Sequence, residues 1–313
     1  MPSIGRHKRL LALCAGVFAL AALIAASVSA AQPPVRGQTL SASHAVRHLH
    51  QRMLRHRRRV ERRRGRPSSA GLLFSGSKID DFADNQSAPG AVSEVPNPAG
   101  GEGKVLKMTV SNSDVAPITP TDNPRAQLVT PAFVEPGDET WWHTSFYLPK
   151  DFPREVPGWL TVLEGPYGAP YDGSPPVSLS VDEDEIRFQR GDTYKYDVPW
   201  HAPIERGKWI DVLFHTRFGS NGFVELWING QQVTFFDSPG DRNSFNPFHE
   251  AATQRLEMET RDHTNDGGPN FFVIQNYRKA GMFNSLTVYH GPTQIGTTRE
   301  AVDLGPPSAQ LGA

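Results

Sequence analysis

The sequence predicts an all-β domain, a sandwich or β-jelly roll of two packed antiparallel sheets, over residues 71–313. Three observations predict it. No helical hydrophobic period of useful length appears in that stretch. Short apolar or alternating runs recur instead, each bounded by Gly, Pro, Asn or Asp. The 28 glycines and 27 prolines of the 313-residue chain suit a loop-rich β fold. Neither an internal repeat nor a second domain boundary is visible.

The expected strands fall at 104–110, 140–148, 177–181, 185–189, 208–218, 222–228, 231–236, 255–261, 271–277 and 285–289. The clearest hairpin surrounds Asn229-Gly230, the strongest short turn signal. The stretch from Asn270 to Gly291 reads as two strands joined by a basic, Gly-containing turn. Along its first strand Phe271, Val273 and Gln275 alternate with Phe272, Ile274 and Asn276, giving two different faces. Tyr277, Arg278 and Lys279 close that strand. A phenol beside cations can move a proton; a sheet tyrosine beside two solvated charges is the plainer account.

Residues 1–31 have the three parts of a secretory signal: Arg6, Lys8 and Arg9, an apolar stretch over 10–24, and small residues at Val28-Ser29-Ala30-Ala31. The only cysteine, Cys14, lies inside it, and Leu13 before it is too large for a lipoprotein site. Beyond the signal no disulfide or thiolate metal site is available. Residues 32–70 carry eleven Arg against Glu61, and 57–59 and 62–64 are all Arg. So polar a segment is expected to be a disordered linker or propeptide, or an anchor to acidic wall polymers. The net charge of −1 hides this asymmetry: the signal contributes +3 and the basic segment +10, which leaves −14 for the body. An acidic body argues against nucleic acid as partner. After signal removal nothing points to a membrane. The expected protein is a secreted or cell-wall-associated monomer.

Few catalytic patterns fit the body. It has no His-x-x-x-His or thiol set for zinc, no Gly-x-Ser-x-Gly elbow and no Gly-rich phosphate loop. No cofactor is expected; a structural Ca²⁺ is compatible with the exposed carboxylates, but no Asp-x-Asp-x-Asp-Gly loop indicates one. The acidic run Asp182-Glu183-Asp184-Glu185 reads as a solvated turn. Glu257 and Glu259 share one strand face between Arg255 and Arg261, as cross-paired charges or as a sugar-binding face. On 140–148, Trp141, His143 and Ser145 share one face, and Trp142, Thr144 and Phe146 the other. One face belongs to the core and the other to a groove where aromatics stack on sugar rings. His143 is the histidine to single out as a proton carrier, with a structural role as its alternative.

Several segments, in order, resemble a known group: Pro124-Arg-Ala-Gln-Leu128, Thr140-Trp-Trp-His-Thr-Ser-Phe-Tyr-Leu-Pro149, Gly173-Ser-Pro-Pro-Val-Ser-Leu179, Gly207-Lys-Trp-Ile-Asp-Val-Leu-Phe-His215, Gly222-Phe-Val-Glu-Leu-Trp-Ile-Asn-Gly230, Asn276-Tyr-Arg278 and Thr287-Val-Tyr-His-Gly291. The set is similar to the secreted polysaccharide lyases of the heparin lyase I, alginate lyase and glucuronan lyase type. That resemblance implies a concanavalin-like jelly roll whose cleft sheet takes an acidic polysaccharide, and β-elimination at a uronic acid. It also implies roles. Arg125 matches the carboxylate-binding Arg of the family's first cleft strand, with Gln127 where the family has Glu. Tyr277 matches a catalytic Tyr, with Val273 at the preceding Lys position. A second register would align Lys279 with the family's lysine and put Phe283 at the catalytic Tyr. The family's Gln-x-His motif falls near Val162-Leu163-Glu164, so Glu164 is the candidate to replace the base. The catalytic candidates are therefore Tyr277, Arg125, Glu164 and His143. The substrate-binding candidates are Lys279, Arg278, Tyr167, Trp142 and Gln127, with Tyr171 in the adjoining loop. Three functions fit: a lyase acting on a uronate glycan, a glycan-binding module that has lost the chemistry, or a cell-wall structural protein with the arginine-rich segment as its anchor.

Overall fold

A computed structural model describes residues 71–101, 103–114, 123–168, 175–192, 195–236, 250–260 and 270–302. The signal-like and arginine-rich segments, Tyr171 and Arg261 lie outside the described residues. Apart from one 3₁₀ turn at Ile79–Asp81, the regular structure described is all β. In chain order the strands are β1 Leu72–Gly76, β2 Asp84–Asn85, β3 Val92–Pro96, β4 Lys104–Ser111, β5 Arg125–Val129 and β6 Glu139–Tyr147. Then come β7 Val156–Gly168, β8 Val177–Glu183, β9 Glu185–Asp192, β10 Lys195–Pro203, β11 Trp209–Arg217 and β12 Gly222–Ile228. The last are β13 Gln231–Gln232, β14 Leu256–Met258, β15 Asn270–Arg278, β16 Ser285–His290 and β17 Thr293–Gly296.

These strands form two antiparallel sheets, the expected jelly roll. The larger sheet runs β13-β12-β11-β6-β16-β4-β3, with β14 beside β12 and the β1–β17 pair beside β6. The smaller runs β10-β9-β8-β7-β15-β5-β2. Alternation decides what lies between them. Trp142, Phe146 and Phe214 from the larger sheet meet Phe188, Phe272 and Ile274 from the smaller in one buried cluster. Trp142 stacks on Phe214 at 5.3 Å between centroids and tilts against Phe272 at 4.6 Å. Each such ring contributes roughly 1.5–3 kcal/mol by leaving water. Trp142 is therefore a core residue, and the expectation that it stacks on substrate is corrected.

The Asn229-Gly230 hairpin forms as expected. Both residues sit at positive φ, 51° and 78°, the pattern of a two-residue turn whose twist matches its strands. β15 and β16 do not form a hairpin, although their sequence suggests one. β15 pairs with β7 and β5 in the smaller sheet, whereas β16 pairs with β4 and β6 in the larger. The basic turn between them is an arch that crosses the edge of the sandwich. Arg278 explains why it holds. Its side chain points inward, fully buried, and Nη2 donates to the carbonyls of Val110 (3.2 Å) and Phe283 (2.8 Å). Desolvation lowers its pKa, opposed by the charge of Asp114. Arg278 is thus a structural brace and not a substrate contact. Asn276 does similar work, donating to the carbonyls of Met108 (3.0 Å) and Leu286 (2.9 Å).

The longest strand, β7, lies outside the strands the sequence suggests. Pro157, Gly158, Gly165 and Pro166 punctuate it and read as turns. In the structure the glycines sit at φ 132° and 141°. The register of β7 also shifts, against β8 between Val156 and Trp159 and against β15 between Ile274 and Tyr277. Such irregularities bend a strand and re-aim its side chains.

Candidate active site on the outward face of the smaller sheet

The inward residues of β15 enter the core, so Phe271, Val273, Gln275 and Tyr277 share the opposite, outward face. Pairing with β5 then sets a ladder: Tyr277 lies across from Arg125, Gln275 from Gln127, and Val273 from Val129. On the other side of β15, Tyr277 faces Thr161 and Val273 faces Glu164. Residues paired across a ladder point to the same side of a sheet. Arg125, Gln127, Glu164, Thr161 and Tyr277 therefore share one surface, although 152 positions separate Arg125 from Tyr277 in the chain.

The Tyr277 end is the most organised. The Arg125 guanidinium carbon lies 4.3 Å from the centroid of the Tyr277 ring, within the range of a cation–π contact. Trp159 meets the same ring edge-on at 4.9 Å. Arg125 Nη1 donates to Gln127 Oε1 (3.3 Å), and Gln127 Nε2 donates to Gln86 Oε1 (3.3 Å). These bonds tie the guanidinium to the amides of the β5 row. The far end is apolar: Val129, Phe271 and Val273 form a small cluster of their own. Val273 and Glu164 stand four residues along β15 from Tyr277, about 13 Å at strand rise.

The floor continues across β8 and β9 in uncharged hydroxyls. Ser178 faces Glu164, and Ser180 faces Thr161. Both serines donate to Gln189 Oε1, at 3.1 and 3.0 Å, and the Ser180 and Thr161 hydroxyls lie 3.3 Å apart, within hydrogen-bond distance. Beyond them lies an ion cluster. Arg187 donates to Asp182 (2.7 Å), Glu183 (2.9 Å) and Glu185 (3.1 Å). The acidic run is thus a clamp on one guanidinium, with only part of it in the turn. Desolvation raises the pKa of Asp182, and Arg187 opposes the shift. His201 pairs with Glu185 at 3.0 Å. It sits on β10, four strand spacings or about 19 Å from β15.

The other expected residues scatter. His143 belongs to the larger sheet and turns away from the core, where Nε2 meets Asp211 Oδ1 at 2.7 Å. Both sheets stand between it and Tyr277, and packed sheets lie ~10 Å apart. His143 therefore does not join this surface. Lys279 is exposed just past β15; its backbone N–H donates to Trp159 O (3.1 Å), and a Cβ on Gly158 would meet its Cδ at 3.1 Å. That places it at the rim beside Trp159 and Tyr277. Tyr167 pairs through its backbone with Phe271, and its side chain lies outside the described residues. Phe283 packs against the core, so the register that puts it at the catalytic position leads off this surface. Glu257 is exposed and lies 3.9 Å from Arg217, as cross-paired charges do. Among the described residues, no group of three or more His, Cys, Asp or Glu is placed to hold a metal ion.

Sequence reasoning missed Gln275, Thr161, Trp159, Ser178, Ser180 and Gln189. The alternation along 271–277 put Gln275 on a face, but nothing local told which face was outward.

The family model for polysaccharide lyases matches residues 74–300. Among solved structures, an endo-β-1,4-glucuronan lyase from the fungus Trichoderma reesei shares 16% identity at a TM-score of 0.50, over 73% of this chain and 97% of that one. A GH131 β-glucanase catalytic domain from Podospora anserina shares 14% identity at a TM-score of 0.43, over 77% of this chain and 88% of that one. A search of curated protein sequences gives no match. The likeness to the glucuronan lyase is one of fold.

Proposed function

Because the chain belongs to the polysaccharide lyase family, we propose that it cleaves a uronate-containing glycan by β-elimination, with Tyr277 as the proton carrier. One observation carries this reading: Arg125 stands directly across from Tyr277, with its guanidinium over the ring, on a face lined by hydroxyls and amides. A sugar bound there brings its carboxylate to Arg125. Pairing with the guanidinium stabilises the negative charge that builds on the carboxylate as C5 loses its proton. Tyr277, as phenolate, takes that proton. The C5 electron pair forms the C4=C5 double bond, the bond from C4 to the glycosidic oxygen breaks, and the phenol returns a proton to that oxygen. Proton and electrons balance with one side chain acting twice. In this scheme Glu164, a strand segment away, serves a neighbouring sugar. Lys279 at the rim serves the same polyanion. His143 has no part in this scheme.

Purified protein is incubated with glucuronan, alginate and heparin, and the absorbance of the unsaturated product is followed. Wild type is expected to form product from at least one polymer, and Tyr277→Phe to lose it by about three orders of magnitude. Absence of product from all three sinks the lyase reading. Residues 1–31 read as an export signal, and the substrate lies outside the cell.

A second reading has its own observation. Val273 stands where the family's lysine is expected, and among the described residues the one histidine on this face, His201, is about 19 Å away. A glycan-binding module without chemistry would bind the polymer with Tyr277→Phe unchanged and release no product.

A further inference from the structure

Gln275 is the unexplained residue of this surface. It sits mid-ladder on β15, between the Tyr277 row and the Val273 row, and its side chain is fully buried. Neither its amide oxygen nor its amide nitrogen has a hydrogen-bond partner among the described residues. Its cross-strand neighbour does not serve it: Gln127 Oε1 accepts from Arg125, Gln127 Nε2 donates to Gln86, and neither end bonds to Gln275. On its other side β7 shifts register between Thr161 and Glu164, so no residue stands directly across. Thr161 bonds to Ser180 and not to Gln275. Buried polar groups are almost always paired, and one that is not calls for a specific reason. Here both halves of one primary amide are left, a donor pair and an acceptor, on the face that carries Tyr277 and Arg125.

That combination selects a chemistry. A carboxylate accepts hydrogen bonds but has no proton to give, so it satisfies the Gln275 nitrogen and opposes the oxygen. Two adjacent sugar hydroxyls satisfy both: one accepts from Nε2 while the other donates to Oε1. We propose that Gln275 is a specificity-determining residue that reads a vicinal pair of free hydroxyls on the sugar held beside Tyr277, so that substituents on those hydroxyls exclude the glycan. The inference rests on the reading of this face as the substrate site and adds to it a substrate class: uronate units without esters on their ring hydroxyls. The site is built for the discrimination, because a buried amide that loses its partner leaves two desolvated groups unmatched.

Wild type, Gln275→Leu and Gln275→Glu are compared on glucuronan and alginate, each unsubstituted and after O-acetylation. Wild type is expected to favour the unsubstituted polymer at least tenfold in kcat/KM. Gln275→Leu should lose roughly ten- to a hundredfold on that polymer and lose the preference with it. Gln275→Glu keeps an acceptor but loses the donor, and should show the same loss. The melting temperature separates this role from a structural one: without glycan, Gln275→Leu removes two unmatched groups and should melt no lower than wild type. Equal turnover of acetylated and unsubstituted polymer by wild type overturns the inference even if a variant does not fold. So does a folded Gln275→Leu that keeps wild-type rate and preference. If wild type neither binds nor cleaves any of the polymers, the substrate-site reading falls and takes this inference with it.

Discussion

Protonation of His290 should set the acid limit of the fold. His290 lies on β16, fully buried between the sheets, and its Nε2–H donates to the backbone carbonyl of Gln275 at 3.0 Å. A carbonyl only accepts, so the proton sits on Nε2 and the ring is neutral. Nδ1 is buried with no hydrogen-bond partner among the described residues, and nothing there rewards a second proton. Desolvation therefore pulls the pKa from 6.5 down to about 4, against a smaller upward pull from the Gln275 carbonyl. The unfolded chain binds this proton near pH 6.5 and the folded chain only near pH 4, so stability is full above pH 6.5 and falls as pH drops between the two. By linkage the loss is about 2 kcal/mol at pH 5 and about 3 kcal/mol at pH 4. Urea unfolding of wild type and His290→Gln at pH 7.5, 6, 5 and 4.5 measures it. The variant should lose most of this slope, whatever its stability at pH 7.5. Parallel pH curves for the two proteins would refute the reasoning, because the proton uptake would then lie elsewhere.

Two further outcomes follow from the packing. Gly165→Ala should destabilise by about 2–4 kcal/mol, since Gly165 holds φ 141° and a Cβ there would come within 2.7 Å of the Phe272 ring; thermal melting checks this. Desolvation pushes the pKa of Glu225 up, but hydrogen bonds from Arg255 and His215 outweigh it and hold the carboxyl below the ordinary value. Its contribution is present above the unfolded carboxyl pKa and lost as pH falls through the folded one, so Glu225→Gln should flatten unfolding curves below about pH 4.5 at a cost of about 1 kcal/mol at neutral pH.

The fold was largely legible because strand alternation and turn residues are local. Asn229-Gly230 announces its turn, and the run at 222–228 matches β12 residue for residue. Two kinds of information were not local. The first is which face of a strand is inward. On β6 the faces carrying Trp142 and His143 look equally suited to a groove, and only packing against Phe214 and Phe272 assigns Trp142 to the core. The second is which strands are neighbours. Tyr277 and Arg125 come from opposite ends of the domain, and their contact exists because β5 lies beside β15. Charge misled at Arg278, since a guanidinium is rarely buried unless carbonyls receive it, and those carbonyls come from Val110 and Phe283. Glycine and proline misled at β7, where they bend a strand instead of ending it.

The pairing of β1 with β17 also bears on how the protein is made. Leu72 lies across from Gly296, and β17 in turn lies against β6. Among the described residues, the first strand therefore waits for the last one to be synthesised before its ladder exists. Contacts of such long sequence separation fold slowly, and until they form the exposed strand edge beside His143 and Trp141 is open to pairing with other chains. A growing chain that stops short of residue 293 holds both sets of site-bearing strands, β5 to β15, and still lacks the strand that closes its back.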